Sequence, residues 1–570
     1  VHKRLAILLA CGLAACHHAP PPALAPPTPE ALAAHSEEFK QGVVQVTDGV
    51  YVAIGYGIAN SILLVGSDGV IVVDTLESMQ AAQRVAAEFR KISDKPVKAI
   101  IYTHSHPDHI GGAAAFAAPG TPVYAQEDVG ANMDKLASEL QPAITRRSLR
   151  MYGTELPQGE RVNLGIGGFL DFHQGSTVGT LRPTRTFRDQ LEDTVAGIHF
   201  QLVHAPGETE DQLFVWLPER GVLLCGDNFY KAFPNLYTIR GTSYRDPKRW
   251  AASLDRMRTL HARFLVPSHT RPLSGAEAID TALTDYRDAI RYVYDQTIRL
   301  INQGLLPDEI AARLHLPPRL AASPYLQEFY GKPSWSEKSI FAGNLGWYSG
   351  DPAELQPLEP TDQARRMVDL AGGAAALDRR IEATVAARDW QWALQLSGYA
   401  LRADPQDAAA RAARIAALRA LGAAETNPPA RDWYFTAAHE LAGDVQLPVR
   451  EVQPTPEMLA AMPLSVFFDG MAVNLHAEDC LDRVIRTGFE FSDSGEQYTY
   501  IVRRGVSELV PGIAGELDLR VRVPAQAFKE MLAGLRNPAL SIARDFEVTQ
   551  GSKLDFARFM QLFAPLPDAP

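Results

Sequence analysis

The segment Thr103-His104-Ser105-His106-Pro107-Asp108-His109-Ile110-Gly111-Gly112 places three imidazoles and a carboxylate within residues 104–109. Packing alone does not account for such a run, because each group buried there would need its own polar partner. Imidazole nitrogen and carboxylate oxygen are ligands for Zn²⁺, and mixed N/O sites take other divalent metals as well. His104 and His106 can face one side of an extended segment, where side chains repeat every second residue. Pro107 then turns the chain, so that Asp108 and His109 address a second position a few Å away. Four ligands in so short a stretch predict two metals more readily than one. A surface histidine cluster without metal is the plain alternative.

These residues need a scaffold, and the flanking sequence supplies one. The motif follows a short apolar stretch, 97–102, that reads as a strand. Upstream, 50–54 and 61–65 read as strands, Ser67-Asp68-Gly69 as a turn, and 70–73 as a buried strand closed by Asp74-Thr75. Met79, Ala82, Val85, Ala86 and Phe89 recur at helical spacing over 78–90. Strands that alternate with a helix predict an α/β fold with a crossover. Strand signals return at 195–203, 213–217, 222–225 and 264–266, with a helix over 247–260. The stretch 150–190, rich in Gly and Arg, reads as long loops over one end of the sheet.

After Gly275 the composition turns helical, over 276–300, 307–316 and 364–422, with 317–347 broken by Pro and aromatics. Leu370, Leu377, Ile381 and Val385 fall on one stripe, and Trp390, Leu394 and Leu401 suit the next helix. This array reads as packing or oligomerisation. A boundary near 427–429 leads to a final helix, and 450–565 mixes helices (456–462, 525–535) with strands (498–503, 517–523), as an α+β domain would.

With 570 residues, 46% hydrophobic and 21% charged, the chain reads as globular with about three domains. A formal charge of -12 disfavours nucleic acid as a partner. Four Cys exclude a disulfide-built scaffold, and Cys225 and Cys480 read as buried thiols. Lys3 and Arg4 precede an apolar run ending in Leu13-Ala14-Ala15-Cys16, which is similar to a bacterial lipobox cut before Cys16. The expectation is a lipid anchor on Cys16 and a periplasmic or outer-membrane-anchored lipoprotein, with plain secretion as the alternative. Residues 17–30 read as a stiff Pro/Ala tether, with folded sequence beginning near Gly42. No later apolar run reaches about 18 residues, so no spanning helix is expected.

THSHPDHIGG resembles the HxHxDH signature of the metallo-β-lactamase superfamily. The resemblance implies two face-to-face β-sheets with helices outside, an αββα sandwich with metals where loops converge at one sheet edge. Glu208 in Pro206-Gly207-Glu208-Thr209 matches the position of a third ligand beside His104 and His106, although Glu210 is close enough to compete. Asp227 matches a bridging ligand, and His269 completes the second site with Asp108, His109 and Asp227. Glu at 208 resembles the alkylsulfatase branch, the type III sulfatases, in which Glu rather than Asp usually stands at the position of Asp227. Met151-Tyr152-Gly153 with Leu156-Pro157, and Asn235-Leu236-Tyr237-Thr238-Ile239-Arg240-Gly241, resemble further segments of that branch. So do Leu370-Ala371-Gly372-Gly373, Asp389-Trp390-Gln391-Trp392 and 431–441 in its helical dimerisation domain, and 465–475 in its sterol-carrier-protein-2-like C-terminal domain.

The implied organisation is a signal at 1–15, a tether at 16–40, a catalytic domain at 41–300, an all-α dimerisation domain at 301–445 and an α+β domain at 446–570. The implied activity is hydrolysis of alkyl sulfate esters to alcohol and sulfate through a metal-bound hydroxide, in a homodimer holding two divalent cations, zinc first among them. Arg240 suits this physically, since a guanidinium offers parallel donors to a sulfate and stays charged. Asn235 is expected to donate a second hydrogen bond and Tyr152 or Thr238 a third, with Asp108 also counted among the catalytic groups. Arg245 reads as the structural partner of a carboxylate, with a contact to the sulfate as the lesser alternative. In this branch water can attack carbon rather than sulfur, and the departing sulfate is a weak base. The C-terminal domain could hold an apolar tail, each buried CH₂ adding about 0.8 kcal/mol.

The alternatives are the same site acting on a phosphodiester, aryl sulfate or lactam, and a non-catalytic metal-binding surface lipoprotein. A doubly charged phosphate would want more cationic groups than Arg240 alone. Asp74 reads as a hydrogen-bond acceptor that orients a ligand imidazole, and His204 as a candidate for the same surroundings. Gly55-Tyr56-Gly57 lacks the other glycines of a dinucleotide site.

Overall fold

A computed structural model describes residues 29–173, 175–447 and 452–563. The lipobox with Cys16 and most of the tether lie outside the described residues. Strand alternation builds two sheets that face each other. One runs in the order Gly42–Thr47, Val50–Ile54, Ser61–Val65, Val70–Val73, Val97–Ile101, Val123–Gln126, Arg185–Phe187. The other runs Leu273–Ser274, Phe264–Pro267, Val222–Gly226, Leu213–Leu217, Ile198–His204, Gln190–Val195. Ile62 and Leu64 enter the core between the sheets while Leu63 packs on the outer face, the period of two that a strand imposes. Val52 and Val73 meet Phe200, Leu202 and Val215 in that core.

Helix Met79–Ile92 covers the first sheet with Ala81, Ala82, Val85, Ala86 and Phe89, and Ser78 caps it by accepting from the Ala81 amide. Helices Pro247–Arg258 and Ala276–Ile301 cover the second sheet with Trp250, Leu254, Tyr286 and Ile290. The result is the αββα sandwich. Val70–Val73 pairs in parallel with Val97–Ile101, and Val222–Gly226 with Phe264–Pro267. Both parallel pairs therefore release their following residues at the same edge: Asp74 and Thr103 from one sheet, Asp227 and Ser268 from the other. The Leu213 amide donates to the Thr103 carbonyl (2.8 Å) and joins the two sheets there.

Several expectations are corrected. The single strand expected at 195–203 is a hairpin, Gln190–Val195 and Ile198–His204, turned by Ala196 and Gly197 with positive φ. The stretch 150–190 is not all loop: Ser176–Val178 pairs with Val452–Pro454, and Arg185–Phe187 extends the first sheet. Folded structure begins before Gly42. Helix Pro29–His35 buries Leu32, and the His35 ring stacks on Phe329 while bonding the Gly165 carbonyl (2.7 Å). Apolar anchors within the expected tether account for this.

The helical region contains Pro333–Leu345, Pro360–Leu370, Ala374–Ala386, Trp390–Ala403, Ala408–Ala424 and Pro428–Ala442. Leu377 and Ile381 are buried as expected, but Leu370 ends a different helix and is 80% exposed. The C-terminal region has a five-stranded sheet, Val506–Pro511, Gln497–Arg503, Val484–Phe491, Leu519–Val523 and Glu547–Gln550, over a core rich in Phe. Cys225 and Cys480 are free and buried. Among the described residues no helix is long and apolar enough to cross a membrane.

Candidate active site

Everything at this edge is built around Asp74, which ends its strand in the left-handed region (φ 57) and is fully buried. Its Oδ1 accepts from the Thr103 amide (2.9 Å). Its Oδ2 accepts from the Thr103 hydroxyl (2.8 Å) and the Ser268 hydroxyl (2.7 Å), and lies 2.8 Å from His109 Nδ1. One carboxylate thus ties together the segments carrying His104, His109 and His269. The expected role of Asp74 is met, and its unusual backbone is held by these bonds.

His104 Nδ1 lies 3.0 Å from the Thr103 hydroxyl, and His269 Nδ1 lies 2.9 Å from the Ile58 carbonyl. Each imidazole fixed at Nδ1 is free to present Nε2 as a ligand. The loop bearing Ile58 is itself pinned: Glu77 accepts from the Ile58 amide (3.1 Å), and Asn60 donates to the Thr270 carbonyl (2.7 Å). Sequence reasoning missed Glu77 and Asn60, since neither lies near a motif and only the fold brings them to the site. Gly111 lets the end of helix Pro107–Ile110 sit against the segment bearing Glu77, because a methyl group there would strike the Glu77 carbonyl.

The structure brings the ligand atoms together. His104, His106 and Asp227 form one group, and Asp108, His109 and His269 another, each with ligand atoms within 4.8 Å of one another. Asp227 Oδ2 lies 3.6 Å from His104 Nε2, 3.4 Å from His109 Nε2 and 3.2 Å from His269 Nε2. It therefore touches both groups. Asp108 Oδ2 lies 3.4 Å from His109 Nε2 and 3.5 Å from His269 Nε2. Burial alone would raise Asp227, but three surrounding imidazoles hold it well below the usual carboxylate range. Burial opposes a charged His269, yet Asp227 beside it lifts its pKa to about 9. His104 falls to about 4 through burial and the neighbouring His109.

These residues fit a pair of divalent cations. His104 Nε2, His109 Nε2, His269 Nε2 and Asp227 Oδ1 are buried with no hydrogen-bond partner among the described residues. Leaving such atoms unpaired costs about 1–3 kcal/mol each, and the N/O set matches borderline divalent metals.

Glu208 is buried beside the first group, its Oε1 3.9 Å from His106 Nδ1, while its Oε2 accepts from the Tyr230 hydroxyl (3.0 Å). Gly207 must be glycine here, since a methyl group would collide with the Asn228 side chain. Glu210 instead faces outward and pairs with Arg249. Glu208 thus lies beside the first group but outside the three residues whose ligand atoms converge, while Glu210 is turned away from it.

The expected oxyanion-binding residues divide. Arg240 reaches the site, its Nη2 3.4 Å from His106 Nε2. Asn235 is buried with its side-chain Nδ2 unpartnered. Tyr152 stands beside Arg240, its hydroxyl 3.0 Å from that of Tyr330. Thr238 is corrected: its hydroxyl is spent on the Met151 sulfur (3.2 Å). His204 is also corrected, because its ring bonds the Glu210 carbonyl (2.7 Å) instead of a ligand. Arg245 does pair with a carboxylate as expected, and that carboxylate is Glu208 itself (3.0 Å).

Family models match the chain in three consecutive segments: metallo-beta-lactamase superfamily at 54–269, alkyl sulfatase dimerisation at 306–444 and alkyl sulfatase C-terminal at 453–568. A linear primary-alkylsulfatase of Pseudomonas sp. (strain ATCC 19151) is 39% identical over 523 residues, 88% of this chain and 98% of the relative. An alkyl/aryl-sulfatase of Saccharomyces cerevisiae is 28% identical over 92% of this chain and 82% of its own. The solved structure of a stereoselective inverting sec-alkylsulfatase from Pseudomonas sp. matches with a TM-score of 0.85 and 27% identity, over 92% of this chain and 85% of that one. With this site, three matched regions in series and a relative spanned almost end to end, the chain belongs to the alkylsulfatase family of the metallo-β-lactamase superfamily.

Proposed function

We propose that this protein hydrolyses alkyl sulfate esters to an alcohol and sulfate at a two-cation site. The observation that carries the reading is the set of unpartnered ligand atoms around Asp227 with Arg240 beside them. His104, His106, Glu208 and Asp227 would hold one cation, and Asp108, His109, His269 and Asp227 the other, with zinc the favoured metal. Bound there, the pair supplies Lewis acidity and a water acidified toward neutrality.

The remaining work falls to side chains. Arg240 offers parallel N–H donors to the sulfate oxygens, and the free Asn235 Nδ2 adds another. Tyr152, its hydroxyl paired with that of Tyr330, is the candidate third donor. Asp108 and Asp227 remain ionised through the pH range in which the enzyme would work, because neighbouring imidazoles hold both below the usual carboxylate range despite burial. Cys225 does not serve as a nucleophile, since burial raises its thiol far above neutrality. Attack at carbon fits this inventory, because departing sulfate needs no proton donor.

Further proposals concern assembly and location. Leu345, Trp347, Leu355, Leu358 and Leu370 are exposed apolar side chains on the helical region, Trp347 being 74% exposed. A homodimer through that region, which the dimerisation model matches at 306–444, would cover such side chains. A lipid anchor on Cys16 would place the enzyme at a bacterial periplasmic or outer-membrane surface, and Cys16→Ala should then move it out of the membrane fraction.

The test of function is sulfate release by cation-loaded protein from dodecyl sulfate, an aryl sulfate and a phosphodiester. The expected result is fastest turnover of dodecyl sulfate. Preference for the phosphodiester, or no release from any alkyl sulfate, would overturn the proposal.

A further inference from the structure

The segment upstream of the first strand grips the loops that carry the ligands. Helix Pro29–His35 sends Leu32 into the core that also holds Leu164, Tyr230 and Phe329. Asn163 donates to the Leu32 carbonyl (2.8 Å) and to the Ser36 hydroxyl (2.9 Å). The turn that follows, Ser36–Phe39, passes so close to Gly55 that a methyl group there would strike the Phe39 carbonyl. Glu38 makes the strongest grip. Lys231 Nζ donates to both of its oxygens (2.9 Å each), and its Oε2 also accepts from the Arg271 amide (3.0 Å). The Arg271 guanidinium reaches back to the Glu37 carbonyl (2.9 Å) and the Lys40 carbonyl (3.0 Å).

Lys231 and Arg271 adjoin the ligands. Lys231 ends the loop that starts at Asp227, and Arg271 follows His269 by two residues. Between His269 and Arg271 stands Thr270, fully buried and at φ 64. A β-branched residue in the left-handed region is strained and persists only where its surroundings over-determine it. Three bonds do so here. Asn60 donates to the Thr270 carbonyl (2.7 Å), the Lys231 amide donates to the Thr270 hydroxyl (3.3 Å), and the next amide, that of Arg271, donates to Glu38. Two of the three run through the residues that Glu38 holds. Without its carboxylate the Arg271 amide loses its acceptor and the Lys231 ammonium loses its partner. The backbone at 269–271 is then free to relax, and the His269 ring turns with it.

We propose that residues 29–40 are a strap that sets the affinity for the cation held by Asp108, His109 and His269, with Glu38 as its positioning residue. The proposal rests on the two-cation reading given above and adds a determinant that lies outside the sandwich. Glu38 touches neither cation nor substrate; it acts through Lys231 and Arg271 on the backbone that orients His269. Part of the segment expected as a tether thereby belongs to the site.

The test is chelator-competition titration of the full chain, resolving two binding steps, with thermal unfolding of the metal-free protein recorded beside it. Glu38→Ala should weaken the cation held by His269 about tenfold, the low end of the range for an outer partner of a ligand, with a smaller loss at the other cation, which shares Asp227. If the alanine variant fails to fold, Glu38→Gln keeps one acceptor oxygen and should show part of the same selective loss. A segment that only stabilised the fold would lower the melting temperature and move both steps alike or neither. Unchanged affinity at both steps, or an equal loss at both, in a folded Glu38→Ala protein would therefore overturn the proposal and leave the two-cation reading standing. A single binding step in the wild type would overturn that reading, and the proposal with it.

Discussion

Replacing Asp74 with Asn tests how the site is held. Asp74 makes no direct cation contact in this account, yet it accepts from the fixed Thr103 amide on one oxygen and faces His109 Nδ1 on the other. An Asn amide has one oxygen and one NH₂ group, so either placement sets donor against donor. The Thr103 amide cannot change its proton, but the His109 ring can move its proton to Nε2. The conflict therefore resolves at His109, whose Nε2 ceases to be a ligand. Loss of such an orienting partner costs 10–100-fold in metal affinity, about 1.4–2.7 kcal/mol. The loss should fall most heavily on the cation held by Asp108, His109 and His269, with a smaller loss at the other, because the Thr103 hydroxyl links Asp74 Oδ2 to His104 Nδ1. Chelator-competition titration, resolving two binding steps, measures this. Wild-type affinity at both steps, with the variant folded, would refute the orienting role.

Three other outcomes follow from the same geometry. Arg240→Ala should keep both cations and lower kcat/KM on alkyl sulfates by about 100-fold or more, roughly 2.7 kcal/mol, checked by steady-state kinetics with metal analysis. Glu208→Gln should weaken one cation site and strand the buried Arg245, while Glu210→Gln, at an exposed ion pair, should leave metal content and stability near wild type. In the metal-free protein His269 carries a proton up to about pH 9, above its ordinary value. Its stabilising pairing with Asp227 is thus fully present below about pH 6.5 and is lost as pH rises through about 9. Cation binding at neutral pH must expel that proton, so affinity should rise with pH up to about 9, with proton release measurable by calorimetry in buffers of different ionisation heat.

Much of this site is legible in the sequence because its chemistry is local. His104, His106, Asp108 and His109 lie within one turn and its preceding strand end, so spacing alone suggests two metal positions. Strands such as 61–65 and 213–217 are legible because burial on one or both faces leaves runs of large aliphatic residues. The first strand of the hairpin at 190–204 is hidden because Gln190, Glu192 and Asp193 are poor strand formers, and only Ala196-Gly197 marks the reversal. Leu370 shows the opposite failure: helical spacing carries across Gly372-Gly373, although the chain turns there and the stripe breaks. Glu77 and Asn60 were out of reach because each acts on a residue distant in the chain, Asn60 on Thr270 and Glu77 on Ile58 behind His269. Residues of that kind carry no periodic or motif signal of their own.

The central claim is that two cations sit between His104 and His269 and share Asp227. Anomalous diffraction from cation-loaded crystals, recorded at the absorption edge of the bound metal, tests it most directly. Two peaks are predicted, one within reach of His104, His106 and Glu208 and one within reach of Asp108, His109 and His269, with Asp227 touching both. A single peak, or metal bound only elsewhere on the chain, would contradict the account.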